Sequence, residues 1–209
     1  MDVTEESPTA AVKGKRPEFL IAMYQQLMAD INRHIMVVWQ SVATVAGSLL
    51  FISLSEKGEL DTEYAVTLIL IVAFWQLMHI VDSSYWYNRN LAMIANIERL
   101  FLFQSDLRDV HYYFGKHRSK NKMINHLRIQ AFLSFAVLLS TAVYYLEYLF
   151  EAEIAFKQWV PFIVFVLGSI IALYQYFGRN AEYKEFIGNS PGQDVDTEQI
   201  NYGTGHPAD

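Results

Sequence analysis

The residues of this chain best able to do chemistry fall in one stretch, Asp82-Ser-Ser-Tyr-Trp-Tyr-Asn-Arg-Asn, which continues through Asn96, Glu98 and Arg99. On a continuous helix Asp82, Arg89, Asn96 and Arg99 share one face, while Leu91, Ile94 and Phe101 cover much of another. With Trp86 they form a candidate ridge for a cytosolic protein partner or a phosphate-bearing ligand, because an arginine fork suits carboxylates and phosphates. The same residues would equally serve as an interface anchor and as a helix-pairing surface inside an oligomer. Further on, Lys116, Arg118, Lys120, Lys122 and Arg128 could hold anionic lipid headgroups, at ~1 kcal/mol per basic residue. Basic loops are also the general signal of membrane topology.

Other chemistries find little support. His111, His117 and His126 lie near Asp106 and Asp109, but spacings of six and nine do not make a zinc site, so no metal is expected. His79, one turn before Asp82, reads as a hydrogen-bonded interfacial histidine rather than a proton relay. The chain has no cysteine, which excludes disulfides, thiolate nucleophiles and cysteine-based metal centres. It carries no nucleophile elbow, phosphate-binding loop, dinucleotide fingerprint or carboxylate pair placed for acid–base work. The expectation is a protein that is not an enzyme and binds no cofactor. The basic patch is short and lacks a nucleic-acid-binding motif, so no nucleic-acid partner is expected.

The elements that must position these residues are four charge-free apolar stretches, at about 35–55, 64–81, 129–146 and 158–178. A bilayer core of ~30 Å needs about 20 apolar residues in a helix, so each can span it. Of 16 Lys and Arg residues, all but Lys57 and Lys157 lie before the first stretch, between the second and third, or after the fourth. The two remaining connections are acidic, with Glu56, Glu59, Asp61 and Glu63 in one and Glu147, Glu151 and Glu153 in the other. The positive-inside rule then puts both termini and the 82–128 loop in the cytoplasm of a bacterial inner membrane. The predicted fold is all-α: a four-helix transmembrane bundle of two helical hairpins, with a cytoplasmic helical extension.

Within the 209 residues, 1–17 and 188–209 read as disordered tails, the second acidic, flanking a membrane domain over 18–187. Residues 1–18 are polar and do not resemble a signal peptide. Phe19, Met23, Leu27, Ile31 and Ile35 recur every four residues, which predicts an amphipathic helix against the membrane surface or a neighbouring helix. From Tyr64 to Phe114 there is neither Gly nor Pro, so span 2 should continue as one helix to near Gln104. Ser105 and Asp106 offer a new cap, Gly115 to Lys122 a polar break, and Pro161 sits in the first turn of span 4. A faint repeat relates Tyr85–Asn90 to Tyr174–Asn180, through a duplication or through the shared interfacial preference of Tyr, Trp and Arg.

No Asp, Glu, Lys or Arg lies near the centre of any span, which weighs against an ion-coupled transporter. The spans instead carry small and polar residues: Gln40, Ala43, Thr44 and Gly47 in span 1, Gln76 in span 2, Gly168 and Ala172 in span 4. These suit close helix packing, with a glutamine-lined pore between copies as the sharper alternative. The run SYWYNRNLAMIANIERLFL followed by SDLRDVHYYFGKHR resembles a group of small bacterial four-span membrane proteins, and that resemblance implies no particular function. In architecture alone, short hairpin spans with an extended cytoplasmic helix are similar to the membrane effectors of bacterial antiviral systems, which are thought to oligomerise and breach the inner membrane. The sequence therefore points to a homo-oligomer in the lipid bilayer that senses or signals through its cytoplasmic helices, with pore formation as one form of it. The alternative is a membrane-anchored adaptor for a cytosolic protein.

The charge pattern makes a direct prediction. A reporter fused after Gly188 should read cytoplasm, and a cysteine at Gly58 or Ala152 should react from outside. Reaction of Gly58→Cys only after permeabilisation would reverse the orientation.

Overall fold

The structure is a computed structural model that describes residues 10–109, 120–151 and 156–191. Among the described residues every regular element is a helix: α1 Ala10–Ser48, α2 Leu50–Glu56, α3 Thr62–Phe101, α4 Gln104–Asp109, α5 Asn125–Glu151 and α6 Val160–Gly188. A 3₁₀ turn over Phe156–Trp159 leads into α6. Four helical segments are long and apolar enough to cross a membrane, so the chain is an all-α, multi-pass membrane protein, as its charge-free stretches predict. α1 takes in residues 10–17, the end of a stretch expected to be disordered. Residues 1–9 and 192–209 lie outside the described residues.

The chain divides into two compact units, one of residues 33–89 and 119–190, the other of residues 1–32, 90–118 and 191–209. The first unit holds the membrane-crossing core. Val38 and Val45 of α1, Val66, Ile69, Ala73 and Ile80 of α3, Leu127 and Leu138 of α5, and Ala172 of α6 form one buried cluster. α3 is its central helix: 56% of its most apolar window is buried, against 11% for that of α6. The outward side chains of the other helices, such as Phe132, Leu139, Ile170 and Phe177, are exposed and suited to lipid.

α6 meets the bundle along one stripe: Pro161, Gly168, Ala172, Gln175, Arg179 and Tyr183, spaced by three, four or seven residues. Gly168 is the close approach, since a Cβ there would run into the ring of Phe74. That ring meets Phe165 edge to face at 5.7 Å. Gln175 Nε2 donates to the Met78 carbonyl at 3.0 Å, a side-chain bond of the kind that holds helices together in lipid.

In α1 and the first span two details differ from the sequence expectation. Span 1, read as one helix over 35–55, breaks at Leu49, where Gly47 and Ser48 adjoin and the Leu49 amide donates to Ala46 at 3.3 Å, a tightened turn. After α2 the chain closes with Gly58 at φ 73°, Gly58 N–H donating to Ser55 and Glu59 N–H to Leu54. This is a Schellman cap, and glycine relieves the strain of a left-handed residue there. The second difference is the packed face of α1. Each four-residue step overshoots a full turn by about 40°, so a series from Phe19 to Ile35 cannot stay on one face. Phe19 is exposed, and the buried face runs Leu27, Ile31, Val38, Ser41, Val45 and Ser48. Ser41 and Ser48 turn their hydroxyls onto the carbonyls of Val38 and Val45, at 2.6 and 2.7 Å.

The second unit has its own small core. α3 continues without a break to Phe101, as the absence of Gly and Pro predicts, and Leu91, Ala92, Ile94 and Ala95 are fully buried there. Leu91 and Ile94, which the spacing places on an apolar face of the helix, are thus covered within the protomer. The first half of α1 shares this unit and buries Leu27 and Ile31, and Tyr24 O–H donates to Glu98 at 3.4 Å. Phe101 stays exposed. α4 begins at Gln104, with Asp106 accepting from the Phe103 amide at 2.8 Å, so Asp106 does the capping expected near Ser105.

Gly168 yields the first structural prediction. Gly168→Val should lower the melting temperature in detergent, at a cost of about 1–3 kcal/mol for overpacking a filled contact. A variant as stable as the parent would show that α6 packs elsewhere.

Candidate functional site

Asp82, Trp86 and Arg89 lie one helical turn apart along α3 and are taken up by partners within their own unit. Asp82 faces Arg179 of α6 at 2.6 Å, and Arg179 also reaches Glu182 at 2.6 Å. The Arg179 guanidinium stands 5.0 Å from the centre of the Tyr85 ring, which packs edge to face on Tyr183. One turn on, Arg89 is sandwiched between Trp86 at 4.8 Å and Phe186 at 5.4 Å. Trp86 stacks on His34 of α1. A guanidinium between two aromatic faces keeps its charge while shedding much of its water. The result is a cationic and aromatic clamp that fastens α6 to α3.

Asn96 and Arg99 belong to the other unit. Arg99 hydrogen-bonds Asn96, the Ala95 carbonyl at 3.3 Å and the Pro191 carbonyl at 3.5 Å. With Met23, Met93, Ile97 and Leu100 these residues line an open groove of about 590 Å³. The five residues predicted as one ridge thus form two sets, each engaged in its own unit.

Of the predicted lipid-contacting residues, Lys120, Lys122 and Arg128 are exposed, and Lys116 and Arg118 lie outside the described residues. Beside them Asn88 of α3 donates to Asn121 at 2.9 Å and to the Lys122 carbonyl at 3.0 Å, and Asn121 donates to Asn180 at 3.1 Å. His111 and His117 also lie outside the described residues. Among the described residues no three His, Asp or Glu side chains converge on a point. His79 stacks on Trp75 at 5.9 Å. Its Nε2 is buried with no hydrogen bond, unlike the satisfied histidine expected.

The span residues separate by environment. Gly168 packs against Phe74 as described. Gln76 is fully buried in α3, where its Oε1 accepts from Ser134 of α5 at 3.0 Å. Gln40, Thr44 and Gly47 take the opposite course: all three are exposed, as is Ala43, and a Cβ on Gly47 would meet nothing. They do not pack within the protomer.

Sequence reasoning passed over a cluster at the opposite end of the first unit. Glu63, at the start of α3, is buried; Tyr148 O–H donates to it at 3.4 Å and Lys157 lies 3.6 Å away. Lys157 also pairs with Asp61 at 3.1 Å, and Tyr145 O–H donates to the Gln158 carbonyl at 2.6 Å. The signal was present: Lys157 is one of only two basic residues in the acidic connections. The clamp partners Arg179, Tyr183 and Phe186 were likewise missed, since nothing in α6 distinguishes them from ordinary interfacial residues.

The chain matches no protein-family model, no curated protein and no solved structure.

If the clamp holds α6 by charge, Asp82→Arg and Arg179→Asp should each lower the melting temperature in detergent. Their combination should recover much of the loss, with a coupling of roughly 1 kcal/mol for a part-exposed pair. Strict additivity of the two losses would remove the ion pair from the account.

Proposed function

We propose that the chain is a non-enzymatic component of a bacterial inner membrane, with both termini in the cytoplasm, that assembles as a homo-oligomer and senses or signals through its cytoplasmic helices. The basic loop segments support the orientation. The observation that carries the assembly is the outward stripe of α1. Gln40, Ala43, Thr44 and Gly47 are exposed on a helix long and apolar enough to cross a membrane, and the Gln40 amide makes no hydrogen bond among the described residues. Hydrocarbon offers an amide no partner, whereas the same stripe on a second copy offers both a donor and an acceptor. Ala43 and Gly47 let the two backbones approach closely.

Copies meeting on this stripe bring Gln40 and Thr44 together between them, which suits a polar path across the seam. The alternative reading, an adaptor that binds a cytosolic protein without conducting, is favoured by the groove at Met23, Met93 and Arg99, which offers an apolar lining with a guanidinium. Conductance of liposomes containing the purified protein separates the two readings.

Gly47→Leu tests assembly. The space around Gly47 accepts a larger side chain within the protomer, so its melting behaviour should hold while its mass in mild detergent falls to that of one chain. A parent protein that is monomeric across a wide concentration range, with no partner bound, would remove the oligomer and the pore with it.

A further inference from the structure

Within the membrane-crossing unit, polar groups are buried along one side of the bundle core and left short of partners. On α3, Gln76 and Ser83 stand two turns apart, 0% and 2% exposed. On α5, His126, Gln130 and Ser134 follow at one-turn intervals, the last two 2% and 0% exposed. The bond from Ser134 to Gln76 brings the two rows together, and Ser134 also donates to the Gln130 carbonyl at 3.1 Å. The remaining groups are orphans: Gln76 Nε2, both amide atoms of Gln130, Ser83 Oγ and His126 Nε2 are buried with no hydrogen bond among the described residues.

An orphan of this kind has given up its hydrogen bonds to water and gained none in return, which is costly for a marginally stable fold. Five such atoms on one seam are not sustainable dry, and lipid has nothing to give them. Water does, because one molecule donates and accepts and bridges two or more groups. The row also has a mouth and a floor. At one end it reaches His126 and the half-buried Asn121, beside Asn88 and Asn180. At the other it stops at Gln76, beyond which α3 presents Ala73, Leu70, Ile69 and Val66, none more than 3% exposed.

We propose that this seam is a blind aqueous inlet inside each protomer, entered at Asn121 and His126, holding bound water as far as Gln76, and closed beyond it by the apolar half of the bundle. The ligand is water, bridging Gln76, Gln130 and Ser134 at the floor. The inlet belongs to the single chain and does not depend on assembly. It divides the protomer into a wet half and a dry half, so any conduction through it requires the apolar half to open.

The absence of cysteine from the chain makes the test clean. Ser83→Cys, Ser134→Cys and the dry reference Ile69→Cys are each introduced into the full chain in sealed membrane vesicles of both orientations. They are exposed to Ag⁺ and to 2-aminoethyl methanethiosulfonate, which react with the thiolate that only water sustains. The exposed Lys122→Cys marks the side of the mouth, whichever way the protein lies in the membrane. Ser83→Cys and Ser134→Cys should react at least ~10-fold faster than Ile69→Cys, and from the same side as Lys122→Cys. Rates no faster than Ile69→Cys with either reagent overturn the inlet. Reaction only from the side opposite Lys122→Cys overturns its stated mouth. Two independent small-to-small substitutions keep the test decisive should one of them fail to fold. A reversed membrane orientation would move Lys122→Cys and Ser134→Cys together, leaving the inlet standing while the proposed topology fell.

Discussion

α3 is the most enclosed helix of this molecule, and the stripe it does turn outward in the membrane-crossing unit, Tyr64, Leu68, Ile71 and Trp75, leaves most of its polar residues to find partners inside. Its backbone satisfies itself, as any spanning segment must in lipid. Its side chains cannot: Glu63, Gln76, Ser83, Asn88 and Asn90 are all buried on it, and each constrains what can stand opposite. Glu63 draws Lys157 and Tyr148 to one end of the bundle, and Asn88 draws Asn121 and the Lys122 carbonyl to the other. Gln76 draws Ser134 between them. The register of α5 against α3 follows from these polar pairings at least as much as from apolar packing, which in lipid is only weakly directional.

The outer helices then differ in how they are held. α6 relies on a stripe with small residues at its centre and charge and aromatic contact at its end. Gly168 brings its backbone onto Phe74, and Arg179 and Tyr183 secure it near Asp82 and Tyr85. α1 relies on a 3.5-residue seam in which serines bond to their own backbone, so Ser41 and Ser48 serve as small apolar-like fillers. Its opposite stripe is exposed, with no partner among the described residues. That asymmetry, with one polar stripe satisfied and one not, is the physical ground for proposing contact between copies.

Much of the fold was legible because the membrane imposes so few solutions. Length and absence of charge identified four spans, and the lack of Gly and Pro after Tyr64 identified the long α3. What could not be read was which face of each helix turns inward. Gln40 and Gln76 are the same residue type in comparable spans, yet one is exposed and the other buried. Gly47 and Gly168 form an identical contrast, open space against a phenyl ring. In a soluble protein polarity separates the two faces, whereas in a spanning helix both faces are apolar and the sequence loses that contrast. The ridge from Asp82 to Arg99 dispersed for a related reason. One-dimensional spacing places residues on a common face without revealing that α6, and the first half of α1, supply partners for it.

The shallow burial of α6 has a consequence for its docking. A helix with about a tenth of its most apolar window buried gives up little contact when it peels away, and lipid receives its outward side chains as readily as the bundle does. The clamp of Asp82, Arg89 and Arg179 near its last turns would therefore be the latch, and the Gly168 contact the hinge side of the opening. The docking of α6 therefore rests on few contacts, and the Asp82–Arg179 pair and the Gly168–Phe74 approach carry a large share of it.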